Sequence, residues 1–129
     1  FLGVHLIASF TISVIFQLAH TLDTNEFHDA VQESGSWENE WSIHQIRTTS
    51  NFAPGNPFVT WYMGGLNYQI EHHLFPQVPF YNLPKLHKII KDELPEPNKG
   101  FISALMEMIP AILKQSKDPN YYIKRNIHI

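Results

Sequence analysis

Residues 1–20 read FLGVHLIASFTISVIFQLAH and contain no Asp, Glu, Lys or Arg. A helix of 20 residues spans about 30 Å, which matches the hydrocarbon thickness of a bilayer. A chain of 129 residues would struggle to bury a helix that is apolar on every side. We therefore predict a membrane-spanning helix over residues 1–20, with a buried core helix as the alternative.

The composition agrees with a protein that lies only partly in water. Charged residues make up 16% of the chain, against roughly 25% in an average soluble domain. The net charge of −3 provides no basic surface, so we expect no nucleic-acid partner. The absence of cysteine excludes disulfides, thiolate metal sites and a cysteine nucleophile. All nine Lys and Arg residues lie from Arg47 onward, which favours a cytoplasmic location for the region after the span.

The region after residue 20 is predicted to be helical with irregular loops. The acidic stretch 21–42 is typical of a surface loop, with a short helix near residues 25–33. A helix is expected to begin at residue 41 and to end before the Pro-Gly-Asn-Pro turn at 54–57. The fold class that follows is all-α, with one N-terminal transmembrane helix and a helical region on the cytoplasmic side.

Proline and asparagine residues mark the boundaries of the later helices. Pro76 ends the aromatic stretch that precedes it, because proline cannot continue a helix. Asn82 as the cap and Pro84 at the first helical position predict the start of another helix. A second apolar stripe over residues 101–113 predicts a last helix, kinked or broken at Pro110.

Residues 64–76, GGLNYQIEHHLFP, contain the only adjacent pair of histidines in the chain. On a helix with Gln69 at zero, His72 falls at about −60° and His73 at about +40°, so all three share one face. Glu71 falls at about 200° on the same helix and points elsewhere. Imidazole suits iron, zinc, copper and nickel, so the pair alone selects no metal. Two hydrogen-bonded structural histidines remain the alternative.

The stretch from residue 61 to residue 76 resembles the third histidine box of membrane fatty-acid desaturases. It has the glycine pair, the Gln-x-x-His-His core and the Leu-Phe-Pro exit. Gln in place of the first His of the box is specific to the front-end acyl desaturases and their bacterial relatives. The pieces FQLAH at 16–20 and HQIRTTSNF at 44–52 are also similar, and the resemblance extends over roughly residues 14–95.

The resemblance implies a set of metal ligands. His72 and His73 match the pair that binds iron, and His20 matches an additional ligand at the cytoplasmic end of the last membrane helix. Gln69 occupies a ligand position with a poorer donor atom. Gln17, one turn before the end of the first helix, is expected to hold a metal-bound water.

Glu71 and His44 are expected to assist the ligands. Glu71 is suited to orienting a neighbouring ligand or pairing with a cation, and His44 to hydrogen bonding or metal binding. His5 precedes His20 by 15 residues, about 22 Å along a helix, and cannot reach the same site. The remaining unassigned histidines are treated as surface or packing residues; they are His28, His87 and His128.

By the same resemblance, the intact protein introduces a double bond into a fatty-acyl chain with two non-haem irons and dioxygen. The acyl chain would be carried on coenzyme A, a carrier protein or a membrane lipid, and the electrons would come from a small haem cytochrome or a ferredoxin. Tyr62, Met63, Leu66 and Phe75 are candidates for an acyl channel, with helix packing as their alternative role.

The sequence lacks the His-x3-4-His and His-x2-3-His-His boxes that the family also uses. We therefore expect residues 1–20 to be the last transmembrane helix of a larger single domain, and residues 21–129 to be its cytoplasmic C-terminal region. This chain alone is expected to be inactive. The alternatives are a di-iron hydroxylase or ketolase of the same superfamily, and a non-catalytic helical module that binds a structural metal such as zinc.

Overall fold

The computed structural model describes residues 1–22, 25, 41–94, 100–118 and 120–121. Its α-helices are α1 (Leu2–His20), α2 (Trp41–Thr48), α3 (Pro57–Tyr62), α4 (Gln69–Leu74), α5 (Leu83–Ile90) and α6 (Phe101–Lys117). Two 3₁₀ turns cover Phe80–Asn82 and Lys91–Glu93. No strand occurs in these ranges, so the predicted all-α fold class is confirmed. The short helix predicted near residues 25–33 lies outside the described residues, Asn25 apart.

Helix α1 has the length and composition needed to cross a membrane. Its first half stands clear of the rest of the chain: Leu2 is 70% exposed and Phe10 is 72% exposed. Burial begins only at Ile15 and is complete at Leu18. An apolar helix that protrudes in this way is suited to a lipid environment, as the sequence predicts.

The core lies at the C-terminal end of α1. There α1 packs against α6, and Ala104 of α6 is fully buried in the same cluster as Leu18 and Ala19 of α1. The backbone N–H of Ser50 donates to the carbonyl of Ala19 at 3.0 Å and joins the end of α2 to the end of α1. The buried apolar core comprises Ile15, Leu18, Ala19, Leu22, Phe52, Ala53, Val59, Met63, Ala104 and Met108.

The last helix does not break at its proline. Helix α6 runs for 17 residues with Pro110 inside it. Pro110 lies on the exposed side of the helix, and Met106, four residues earlier, is 71% exposed. The carbonyl that loses its hydrogen bond to proline therefore lies on the uncovered side, where other partners can reach it.

Asn82 is the cap residue of α5, as predicted, but it lacks the expected capping bond. Asn82 makes no side-chain bond to the helix start. Its backbone is already helical (φ −98°, ψ −12°), because the 3₁₀ turn Phe80–Asn82 leads directly into α5. A residue whose side chain caps a helix typically has an extended backbone, which lets the side chain accept from the free N–H groups of the first turn that follows. Pro84 does lie at the start of the helix, as predicted.

Candidate metal centre

The histidine box forms a short helix, α4, held by a loop asparagine. The backbone N–H of Ile70 donates to the side-chain oxygen of Asn51 at 3.0 Å. This bond satisfies one of the N–H groups that a helix start leaves without a partner. Before α4 the chain turns sharply through Gly64 (φ +59°) and Gly65 (φ +79°), a backbone conformation that glycine adopts without strain.

His73, Gln69 and His20 meet at one point between α4 and the end of α1. The amide nitrogen of Gln69 lies 2.9 Å from Nε2 of His73 and 3.4 Å from Nε2 of His20. The His20 and His73 ring centroids are 5.4 Å apart. These two imidazoles come from residues 53 positions apart in the chain, and the fold directs both Nε2 atoms toward the same amide.

His72 lies beside this cluster. Its ring centroid is 6.0 Å from that of His73, and the two ring planes meet at 83°. Both side chains are half-buried. The nearly perpendicular rings of the pair therefore direct their nitrogen atoms along different lines.

The environment of His73 favours its neutral form. Burial lowers the pKa of His73 below its ordinary value of 6.5, and the neighbouring His20 and His72 lower the pKa further. A low dielectric surrounding disfavours a charged imidazole, and adjacent positive charges would repel it. A neutral imidazole is the form that can donate a lone pair to a metal ion.

Glu71 lies on the other side of α4 and is fully buried. Its Oε2 accepts a hydrogen bond from the Asn51 amide at 2.7 Å, and its Oε1 pairs with Nδ1 of His87. The His87 ring also lies 5.3 Å from the ring of Tyr68. Glu71 thus pairs with His87, which the sequence left unassigned, and it points away from His20 and Gln69.

Gln17 and His44, the other residues predicted to assist the ligands, each accept a hydrogen bond from a residue four positions later. The side-chain oxygen of Gln17 accepts a hydrogen bond from the Thr21 hydroxyl at 2.7 Å. His44 lies on α2, where its carbonyl accepts from the Thr48 hydroxyl at 2.8 Å. His5 lies at the far end of α1, as its spacing from His20 predicts, where its ring meets that of Phe1 edge-on with centroids 4.3 Å apart.

Comparison with known proteins identifies the family of the chain. The model of the fatty acid desaturase family matches residues 1–104. The chain belongs to this family.

Curated relatives carry desaturase names. The chain is 52% identical over 81 residues to the sn-1 linoleoyl-lipid 6-desaturase of Synechocystis sp. The match covers 63% of this chain and 23% of that protein. It is 39% identical over 95 residues to the Delta(5) fatty acid desaturase fat-4 of Caenorhabditis elegans, covering 71% of the chain and 19% of that protein. It is 29% identical over 133 residues to the Delta(5) fatty acid desaturase A of Dictyostelium discoideum. That match covers 96% of this chain and 29% of that protein.

The chain thus spans 19% to 29% of the length of these relatives. Their Delta(5) and 6-desaturase names agree with the front-end subgroup that the Gln-x-x-His-His core predicts. No solved structure matches the chain.

Sequence reasoning missed Gln45 as a site residue. Its Oε1 lies 2.6 Å from Nδ1 of His73. Gln45 and His44 are adjacent in the segment 44–52, and the sequence predicts a role for His44 alone. Neighbours on a helix point about 100° apart, so the packing of α2 against α4 determines which of the two reaches the box. No pattern within residues 44–52 reveals that packing.

The donor atoms fit a metal centre in part. Neutral imidazole nitrogens suit iron, and the Nε2 atoms of His20 and His73 face one position. Within the described ranges, however, no three His, Asp or Glu side chains are grouped closely enough to hold a metal ion. The described residues therefore bring two imidazole nitrogens to one position.

Two of the acyl-channel candidates have a packing role. Met63 is only 7% exposed and belongs to the core, and Leu66 packs against the same core. Tyr62 and Phe75 are 54% and 42% exposed. Of the four residues, only these two are placed to contact a separate molecule.

Proposed function

We propose that the intact protein containing this chain is a fatty-acyl desaturase with a non-haem di-iron centre. His20, His72 and His73 supply some of the ligands, and polypeptide outside this chain supplies the remainder. The observation that carries the proposal is the convergence of the His20 and His73 Nε2 atoms on the amide of Gln69. This convergence occurs within a box that lies inside the desaturase-matching region.

The reaction removes two hydrogens from adjacent, unactivated methylenes. In balance, an acyl –CH2–CH2– unit, dioxygen, two electrons and two protons give –CH=CH– and two waters. The irons, when bound, would supply the oxidising power that no protein side chain has. The residues of this chain keep the imidazoles neutral, orient them and exclude bulk water from part of the site.

We assign His72 and His73 to neighbouring metal ions. Their rings are 6.0 Å apart and meet at 83°, which supports ligation of two ions better than chelation of one. His20 then joins His73 at the same ion. The Gln69 amide nitrogen lies within hydrogen-bond distance of both Nε2 atoms. Each Nε2 has one lone pair, so this amide must move aside when iron binds, and we assign it no ligand role because an amide nitrogen has no lone pair to offer.

The acyl chain is proposed to be carried by a membrane lipid. The relative with 52% identity is named for a lipid-linked acyl substrate, which favours this choice over coenzyme A or a carrier protein. A small haem cytochrome or a ferredoxin would supply the electrons. The box would face the cytoplasm, on the side where all the basic residues of the chain lie.

The test compares the intact desaturase with His72→Ala and His73→Ala, and with His5→Ala as the matched control. Bound iron is measured, and acyl products are analysed by mass spectrometry. We expect both box variants to lose at least 100-fold in desaturation, since metal ligands act together. The control should retain activity, because His5 lies at the far end of α1.

Each alternative has its own outcome in that experiment. Products that gain an oxygen rather than lose two hydrogens would assign the protein to the hydroxylases or ketolases. Zinc without iron in the intact protein, with no acyl conversion, would indicate a structural metal module. Unchanged desaturation in both box variants would contradict the proposed ligands.

A further inference from the structure

Gln45 contacts the nitrogen of His73 that faces away from the proposed metal position. Its Oε1 lies 2.6 Å from Nδ1 of His73, while Nε2 of His73 faces Gln69 and His20. An amide oxygen can only accept a hydrogen bond. Nδ1 must therefore carry the proton, and it donates this proton to Gln45.

The contact on the opposite side of the ring agrees with this tautomer. The amide nitrogen of Gln69, which can only donate, lies 2.9 Å from Nε2 of His73. Nε2 must therefore be unprotonated, with its lone pair directed toward Gln69. Two independent contacts, one from α2 and one from within α4, thus require the same form of a single imidazole.

Gln45 is itself held by its surroundings. Its carbonyl accepts a hydrogen bond from the hydroxyl of Thr49, one turn later. The next residue, Ser50, is bonded through its N–H to the carbonyl of Ala19 in α1. Gln45 is half-buried where α2 packs against α4. The backbone that carries Gln45 is therefore held in place, and it is tied to α1, the helix that carries His20.

We propose that Gln45 is a positioning residue that holds His73 as the Nδ1–H tautomer and so presents Nε2 to the iron. The inference rests on the proposed function, in which His73 is a ligand. A neutral imidazole binds metal through its unprotonated nitrogen, and the hydrogen bond at the other nitrogen selects which one that is. Without this acceptor, the His73 ring can rotate and populate the other tautomer.

The first measurement needs no metal. The intact desaturase, labelled with ¹⁵N-histidine and stripped of iron, is studied by solid-state NMR in lipid, with His73→Ala used to assign the signals. We expect the Nδ1–H tautomer in the wild type and in Gln45→Glu, which keeps an acceptor. Gln45→Leu should show a mixture that includes the Nε2–H tautomer. An unchanged Nδ1–H signal in Gln45→Leu would overturn the proposal.

The second measurement is iron affinity of the same proteins. Gln45→Leu should bind iron about 10–100-fold more weakly, the usual effect of losing a hydrogen-bond partner of a metal ligand. Gln45→Glu should restore most of that loss. The control Gln77→Leu removes the same amide from an exposed position after the box and should bind iron as the wild type does. Equal weakening in the Leu and Glu variants would contradict a positioning role.

The two proposals fail in different ways. Iron binding that survives His73→Ala would refute His73 as a ligand, and with it that part of the proposed function. Loss of iron in His73→Ala, together with wild-type affinity in Gln45→Leu, would refute only the role of Gln45. The thermal midpoint of Gln45→Leu controls for a loss of stability, since a general unfolding would lower the midpoint as well as the iron affinity. We expect the midpoint to stay unchanged while the affinity falls.

Discussion

At the residue scale, two adjacent glycines make different demands on the turn before the box. Gly64 (φ +59°) and Gly65 (φ +79°) both adopt the left-handed backbone conformation. A Cβ at Gly64 would meet no atom within 4 Å. A Cβ at Gly65 would lie 2.8 Å from Cβ of Phe80 and 3.2 Å from a Leu83 methyl. The start of α5 is therefore packed directly on the turn at Gly65.

We expect Gly65→Ala to destabilise the protein more than Gly64→Ala does. The left-handed conformation alone should lower the free energy of unfolding by about 1–2 kcal/mol in either variant. The clash at Gly65 should add about 1–3 kcal/mol, because well-packed neighbours must move. Thermal midpoints of the intact desaturase in detergent measure the difference. Equal midpoints for the two variants would show that α5 does not pack on this turn.

At the element scale, the buried carboxyl group of Glu71 joins α4 to α5 and to the loop before α3. Asn51 contacts both the backbone of Ile70 and Oε2 of Glu71, and His87 of α5 pairs with Oε1. A buried polar group is tolerated only when its hydrogen bonds are made. The orientation of the box helix therefore depends on partners that come from two other segments.

We expect His87→Ala to lower the free energy of unfolding by about 1–3 kcal/mol or more, because it leaves one oxygen of a buried carboxyl group without a partner. Lys88→Ala, the same change at the next and exposed residue of α5, is the control and should be nearly neutral. The double variant Glu71→Gln with His87→Ala should recover part of the loss. Additive losses in the double variant would argue against a direct Glu71–His87 interaction. Denaturant titration measures the free energy of unfolding of the intact protein, of these variants and of the single variant Glu71→Gln, which the test of additivity requires.

At the scale of the whole molecule, the exposed half of α1 lies at one end of that helix, and the histidine box contacts His20 at its other end. Leu2 is 70% exposed, whereas Leu18 and Ala19 at the other end are buried in the core. Nineteen residues of helix extend about 28 Å, close to the hydrocarbon thickness of a bilayer. The two ends of α1 should therefore lie on opposite sides of the membrane.

The chain contains no cysteine, so single introduced thiols can report this orientation. In an intact desaturase freed of its other cysteines, Lys85→Cys should react with a membrane-impermeant maleimide in inside-out vesicles but not in right-side-out vesicles. Lys85 is exposed on α5, beside the box. Leu2→Cys should fail to react in inside-out vesicles. Labelling of both positions from the same side would refute a membrane span over α1.

Local chemistry predicted helix α1, the later helices α5 and α6, and the helical turn of the box, but not the short helix α3. The uncharged run of residues 1–20, the turn at 54–57 and the spacing of Gln69, His72 and His73 are properties of neighbouring residues. Such patterns involve residues within one or two helical turns of each other, so they can be recognised in the sequence alone. Asn82 lies at the predicted cap position but makes no capping bond, because a 3₁₀ turn, rather than an extended residue, leads into α5.

Tertiary structure decided which side chains surround the histidines. Gln45 and His87 reach the box from α2 and α5, and neither differs in its local pattern from its neighbours His44 and Lys88. Their contacts arise from the way separate helices pack, which fixes the rotation of each helix about its own axis. His20 meets His73 for the same physical reason: a position 53 residues away in the chain becomes adjacent only when α1 and α4 close on a common core.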